Sequence, residues 1–175
     1  MGSDLNLSSN QSINLVVKQA VDNIEIGGRN ILTKRPESTH RASNITITDY
    51  GFNIAPVNQD TYMAITTHED IIKGEEYTLS MECSGFGEGE EWPFYIFGQW
   101  EMDFTLKNGK VSYTFQSPGN MGKIIVLDDK TRDKMPSGTV TVKNLKLERG
   151  NKATAWTPAP EDLETRILNA ETSIV

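Results

Sequence analysis

Between Glu88 and Glu101 the chain reads Glu-Gly-Glu-Glu-Trp-Pro-Phe-Tyr-Ile-Phe-Gly-Gln-Trp-Glu, five aromatic rings interleaved with carboxylates and an amide. Aromatic faces stack on the apolar faces of pyranose rings, and carboxylates or amides beside them hydrogen-bond hydroxyls. On that chemistry Trp92, Tyr95, Gln99, Trp100 and Glu101 are candidate saccharide contacts, with Asp103 as a further hydroxyl partner. Tyr62 and Tyr50 form a weaker second group. Along this stretch Phe94, Ile96 and Trp100 share one parity, while Tyr95, Phe97 and Gln99 share the other. A strand apolar on both faces buries one against the core and needs a cover for the other: a ligand, a loop or a neighbouring subunit. Packing in the core or under a loop is the competing reading for Trp92 and Trp100.

Other chemistries find little support. His40 and His68 are far apart, with no Cys or His at ligand spacing, so no zinc site is expected. No cofactor is expected. Hard oxygen ligands are abundant, and a structural calcium stays open, with Asp128-Asp129 and Glu88, Glu90 and Glu91 as sources but no EF-hand spacing. Paired carboxylates can hydrolyse glycosides, yet none here sits in a motif, and no Gly-x-Ser-x-Gly elbow or phosphate loop is present. The expectation is a protein that is not an enzyme. Cys83 is the only cysteine, which excludes an intrachain disulfide, and its alternating apolar surroundings mark it as a buried structural thiol.

Charge is unevenly placed. The net charge is −7, but the window from Glu69 to Asp103 holds ten acids and one base, leaving the remainder at +2. The same window carries seven of the fourteen aromatics. An acidic, aromatic-rich stretch repels phosphate backbones, so nucleic acid is not an expected partner. It is compatible with neutral or amine-bearing sugars and a poor match for polyanions. No apolar run approaches the roughly 20 residues of a membrane span, and no basic amphipathic helix or secretory leader is visible.

The elements that must position these residues fall into three segments. Residues 1–27 begin with Met1-Gly2-Ser3, which reads as a leftover of cloning. They continue into a helix with apolar residues at Ile13, Val17, Ala20 and Ile24. Residues 159–175 repeat that 4-3-4 spacing at Leu163, Ile167, Ala170 and Ile174 after a Pro-rich turn and two acids. Each helix is short with one narrow stripe, so the stripe must be buried, either on the middle segment or in a coiled coil with copies of itself.

Residues 28–158 read as strands. Tyr77, Leu79, Met81 and Cys83 alternate with polar residues, as do Val111, Tyr113 and Phe115. Further strands are expected at Ile45–Thr48, Phe52–Ala55, Thr61–Thr66, Phe94–Gln99 and Lys123–Leu127. Val140 and Val142 take one parity and Leu145 and Leu147 the other, which predicts a bulge around Lys143-Asn144 or a strand that changes partners there. Lys73-Gly74, Asn108-Gly109, Pro118-Gly119-Asn120 and Pro136-Ser137-Gly138 supply the turns. Eight or nine short strands without an intervening helix give a mainly β fold, an antiparallel β-sandwich of jelly-roll type flanked by short helices.

Two stretches bracket this segment: Gly27-Gly28-Arg29-Asn30-Ile31-Leu32 opens it, and Val142 to Asp162, with Leu147-Glu148-Arg149-Gly150-Asn151-Lys152-Ala153-Thr154-Ala155-Trp156-Thr157-Pro158-Ala159-Pro160-Glu161-Asp162 at its heart, closes it. The pair resembles the jelly-roll, carbohydrate-binding-module-like domains of tail and baseplate proteins from phages and prophages of Gram-positive bacteria. It departs from the family pattern at Arg149, where lysine is usual, and at Ala155, where aspartate is usual. The resemblance covers about thirty residues at the two ends. Between them only the strand rhythm and Gly74–Ser80 echo it.

The resemblance implies a module of a fibrous tail protein, held in a homotrimer by flanking coiled-coil helices and carried on the virion after synthesis in the host cytoplasm. Its implied role is receptor binding to host cell-wall or surface polysaccharide during adsorption, alongside other tail and baseplate proteins. A spacer or decoration domain that binds no sugar is the alternative, and a cell-wall glycan hydrolase a distant third. Trp156, lying in the closing signature, is expected to pack the chain's exit onto the sandwich rather than to carry sugar.

Overall fold

The computed structural model describes residues 9, 11–13, 28–35, 45–55, 62–96, 103–129 and 135–173. Among these, nine strands precede one helix: β1 (Ile45–Thr48), β2 (Gly51–Ile54), β3 (Tyr62–Ile71), β4 (Glu76–Ser84), β5 (Trp92–Ile96), β6 (Asp103–Leu106), β7 (Gly109–Gln116), β8 (Gly122–Asp129), β9 (Val140–Arg149) and α1 (Pro160–Thr172). Ser9 and residues 11–13 are helical, and the rest of the expected N-terminal helix lies outside the described residues.

The strands form two antiparallel sheets, ordered β1-β2-β9-β4-β7 and β3-β8-β5-β6. The two-residue period decides what lies between them. Tyr77, Leu79, Met81 and Cys83 of β4 face inward with Leu145 and Leu147 of β9 and Phe52 and Ile54 of β2. From the other sheet Met63, Ile65, Trp92, Phe94, Ile96, Phe104, Leu106, Ile125 and Leu127 meet them.

The expected bulge is present. Ser80 pairs with Lys146 but Glu82 pairs with Lys143, so Asn144 and Leu145 together oppose Met81. Asn144 takes φ 54°, a left-handed conformation that asparagine tolerates better than most residues. The bulge restores Val140 and Val142 to the core side, which reconciles the two parities read in the sequence.

Two expectations change. Strand β6 has no counterpart among the expected strands, because its four residues are too few to show a period beside the acids around them. Strand β5 begins at Trp92, two residues early, and includes Pro93. That proline pairs with Thr105 of β6, and among the described residues the ladder to β8 runs from Phe94 to Ile96.

Candidate functional site

The opening and closing signatures meet. Asn30 is fully buried, and its side-chain oxygen accepts from the amides of Leu32 (3.1 Å) and Leu147 (3.2 Å). Its Nδ2 donates to the carbonyls of Leu145 and Thr157, both at 3.2 Å. All the polar capacity of one amide is used to tie the entry of the chain to β9 and to its exit. Arg29 pairs with Glu161, while the Tyr50 hydroxyl donates to Asp162 and accepts from the Ala159 amide at 2.8 Å. His68 Nε2 lies 3.6 Å from Asp162. Burial first, then the Asp162 hydrogen bond, pushes the Tyr50 phenol well above its ordinary value. The two terminal motifs are therefore one clasp.

The closing arm, residues 151–158, crosses the outer side of the five-stranded sheet. Lys146 and Glu148 point out of the sheet on β9, yet both are fully buried because the arm lies over them. The Thr154 hydroxyl accepts from Lys146 Nζ (2.7 Å) and donates to Glu148 (2.6 Å), and the Thr154 amide donates to the same carboxylate (2.8 Å). Lys146 Nζ also donates to the carbonyl of Ala155 at 2.8 Å.

Beyond that anchor stands Trp156, 39% exposed. Its indole Nε1 donates to the Leu145 carbonyl (3.3 Å), and its ring meets Tyr50 edge-on at 5.4 Å. The sequence leads one to expect Trp156 to pack the chain's exit onto the sandwich, and its edge does so at Leu145 and Tyr50, while the residue keeps 39% exposure. The arm has no periodicity, so no sequence signal gave its exposure.

Trp156 and Asn144 line two adjoining grooves. One, of about 380 Å³, also has Ser80, Glu82, Lys110, Ser112 and Thr154 on its walls. The other, of about 370 Å³, has Lys34, Asp49, Tyr50, Lys143 and Leu163. The charges are largely matched within the site: Lys143 lies 3.6 Å from Glu82, and Lys34 lies 3.1 Å from Asp49. The arrangement is an exposed aromatic face among hydroxyls, amides and compensated charges.

The aromatic stretch anticipated as the site is placed differently. Trp92 is completely buried and packs edge-on against Phe94 at 4.9 Å, so it cannot be a sugar platform. The reason was present in its parity, which it shares with Phe94 and Ile96. Tyr95 lies outside the core cluster on the opposite parity but is only 9% exposed, which leaves little ring for a ligand. The ladder sets Tyr62, Asp128, Tyr95 and Asp103 in one row across four strands, so the structure does bring Tyr62 and Tyr95 into register. Gln99, Trp100 and Glu101 lie outside the described residues.

The acids of this region do not make one ligand-ready face. Arg149 pairs with both Glu69 and Glu75, with the Glu69 hydrogen bond as the main reason its pKa is raised. Lys107 lies 3.6 Å from Glu91. Glu90 accepts the amides of Gly87 (2.8 Å) and Ser137 (3.2 Å), which hold its carboxyl below the usual range. Among the described residues no group of three or more His, Cys, Asp or Glu gathers to hold a metal ion, and no helix is long and apolar enough to cross a membrane.

No protein-family model matches the sequence, and no curated protein matches it either. Among solved structures, a CBM4 chain is similar with TM-score 0.44 and 12% identity, over 63% of this chain and 77% of the other. The tripod from the baseplate of bacteriophage Tuc2009 gives TM-score 0.43 and 11% identity, over 77% of this chain and 60% of that one. A family 29 carbohydrate-binding module complexed with cellulohexaose gives TM-score 0.39 and 12% identity, over 69% and 88%.

Proposed function

We propose that this chain is a saccharide-binding module, with the paired grooves around Trp156 as its site. The observation that carries the reading is the half-exposed indole held between two grooves whose walls offer hydroxyls, an amide and paired charges. The terminal signatures support a finer reading: a jelly-roll receptor-binding or accessory module of a phage tail or baseplate, carried on the virion and binding host cell-wall polysaccharide. In that setting the flanking helices join copies of the chain in a trimeric coiled coil. Ile167 of α1, exposed in the single chain and outside both grooves, is a residue such an assembly buries. No catalytic role is proposed.

A glycan array followed by calorimetric titration tests the site. Trp156→Ala is expected to lose at least tenfold in affinity for the best-bound glycan, while Glu91→Gln, away from the grooves, keeps it. Binding by the unaltered chain that survives Trp156→Ala moves the site elsewhere. A decoration domain without sugar affinity is the second reading, favoured by the burial of Trp92 and Tyr95. It prevails if no array glycan is retained. Sedimentation of the chain tests the assembly, and a clean monomer counts against it.

A further inference from the structure

We propose that Lys146 and Glu148 are positioning residues for Trp156, acting through Thr154. The inference rests on the saccharide reading for its functional consequence but on independent geometry for its mechanism. Outward-facing positions of a sheet normally meet water, yet this lysine and this glutamate are fully buried, 3.4 Å apart. A buried ion pair contributes little net stability, because desolvation offsets the attraction, and apolar replacements are often as stable. What the pair supplies is location. Every hydrogen bond it makes with the arm falls on Thr154 or Ala155, the two residues before Trp156.

Residues 151–157 are otherwise exposed, so no buried apolar side chain of their own fixes where they lie. With Thr154 and Ala155 pinned, the indole reaches Leu145 and Tyr50 in a single pose. A ring fixed before the ligand arrives loses less freedom on binding. Lys146 and Glu148 line neither groove, so they act on the site only through the arm.

The test labels the chain with 5-fluorotryptophan and follows the Trp156 fluorine resonance, assigned by its loss in Trp156→Phe. In the double variant Lys146→Met, Glu148→Leu the thermal transition is expected to stay cooperative, while the Trp156 resonance moves to its solvent-exposed position. Affinity for the best-bound array glycan is expected to fall about tenfold. Thr154→Val, which removes the bridging hydroxyl at nearly constant shape, is expected to move the resonance in the same direction, and Thr154→Ser to leave it in place. The Thr154 pair carries the test if the double variant does not fold.

A Trp156 resonance unchanged in both the double variant and Thr154→Val overturns the proposal. A resonance that moves in a chain retaining no glycan upholds the positioning and overturns the saccharide reading instead.

Discussion

The indole of Trp156 donates to the carbonyl of Leu145, the residue that the bulge at Asn144 turns out of the regular ladder. The Leu145 amide donates instead to the carbonyl of Tyr50 at 2.9 Å, and its carbonyl takes a second bond from Asn30. One irregularity in β9 thus fixes the turn before β2, the chain's entry and the aromatic edge of the grooves. Bulges are used in this way to re-aim groups beside functional sites.

Asn144 is the first point of test. At φ 54° a β-branched residue is strained by about 1–2 kcal/mol, whereas glycine is not. Asn144→Val is expected to lower the unfolding midpoint and weaken glycan binding together. Asn144→Gly should keep stability near that of the parent chain. Equal stability of the two variants in denaturant titrations would contradict the left-handed bulge.

Asn30 carries more. Asn30→Ala removes four hydrogen bonds at a fully buried position and leaves backbone groups of Leu147 and Thr157 without them. Each such loss costs about 1–3 kcal/mol, so a total of about 2–6 kcal/mol is expected from denaturant unfolding. Hydrogen exchange should speed first at Leu147 and Leu32. A loss under about 1 kcal/mol rules the clasp out as a main support of the fold.

Cys83 is buried in the core, and burial pushes its thiol up to about 12. At pH 8 almost none of it is thiolate, and the thiolate is the reactive form. Ellman's reagent should therefore find no fast-reacting thiol in the folded chain and one per chain in denaturant. Rapid labelling at pH 8 without denaturant would remove Cys83 from the core.

Glu90 links stability to acid. Its folded carboxyl titrates below the unfolded one because the amides of Gly87 and Ser137 donate to the charged form. The contribution is present above the ordinary glutamate range, near pH 4.3, and is lost as pH falls through the lower folded value. The protection factor of the Ser137 amide against exchange should fall in that acidic window, and Glu90→Gln should lower it at neutral pH. A Ser137 protection factor that does not change with pH contradicts the pinning.

Much of the sandwich was legible because alternation reports a half-buried strand directly. Tyr77 to Cys83 and Val111 to Phe115 gave β4 and β7, and the parity slip between Val142 and Leu145 gave the bulge. The site was less legible for two physical reasons. In β5 both parities are apolar, so alternation alone does not say which side meets the other sheet, although Trp92 shares its parity with Phe94. Trp156 lies in an aperiodic arm whose course is set by Lys146 and Glu148, two charged residues that a period rule assigns to solvent.

The clasp also fixes how force travels. Arg29 at the entry pairs with Glu161 at the exit, and Asn30 bonds Thr157, so the two points where the chain joins its flanks are side by side. Tension applied across the flanks loads these bonds first and leaves the strands slack behind them. Stretching a single chain by its ends should show an early, small rupture for the clasp before the sandwich yields. A domain built this way meets a pull at its base, where entry and exit are tied, before the pull reaches its strands.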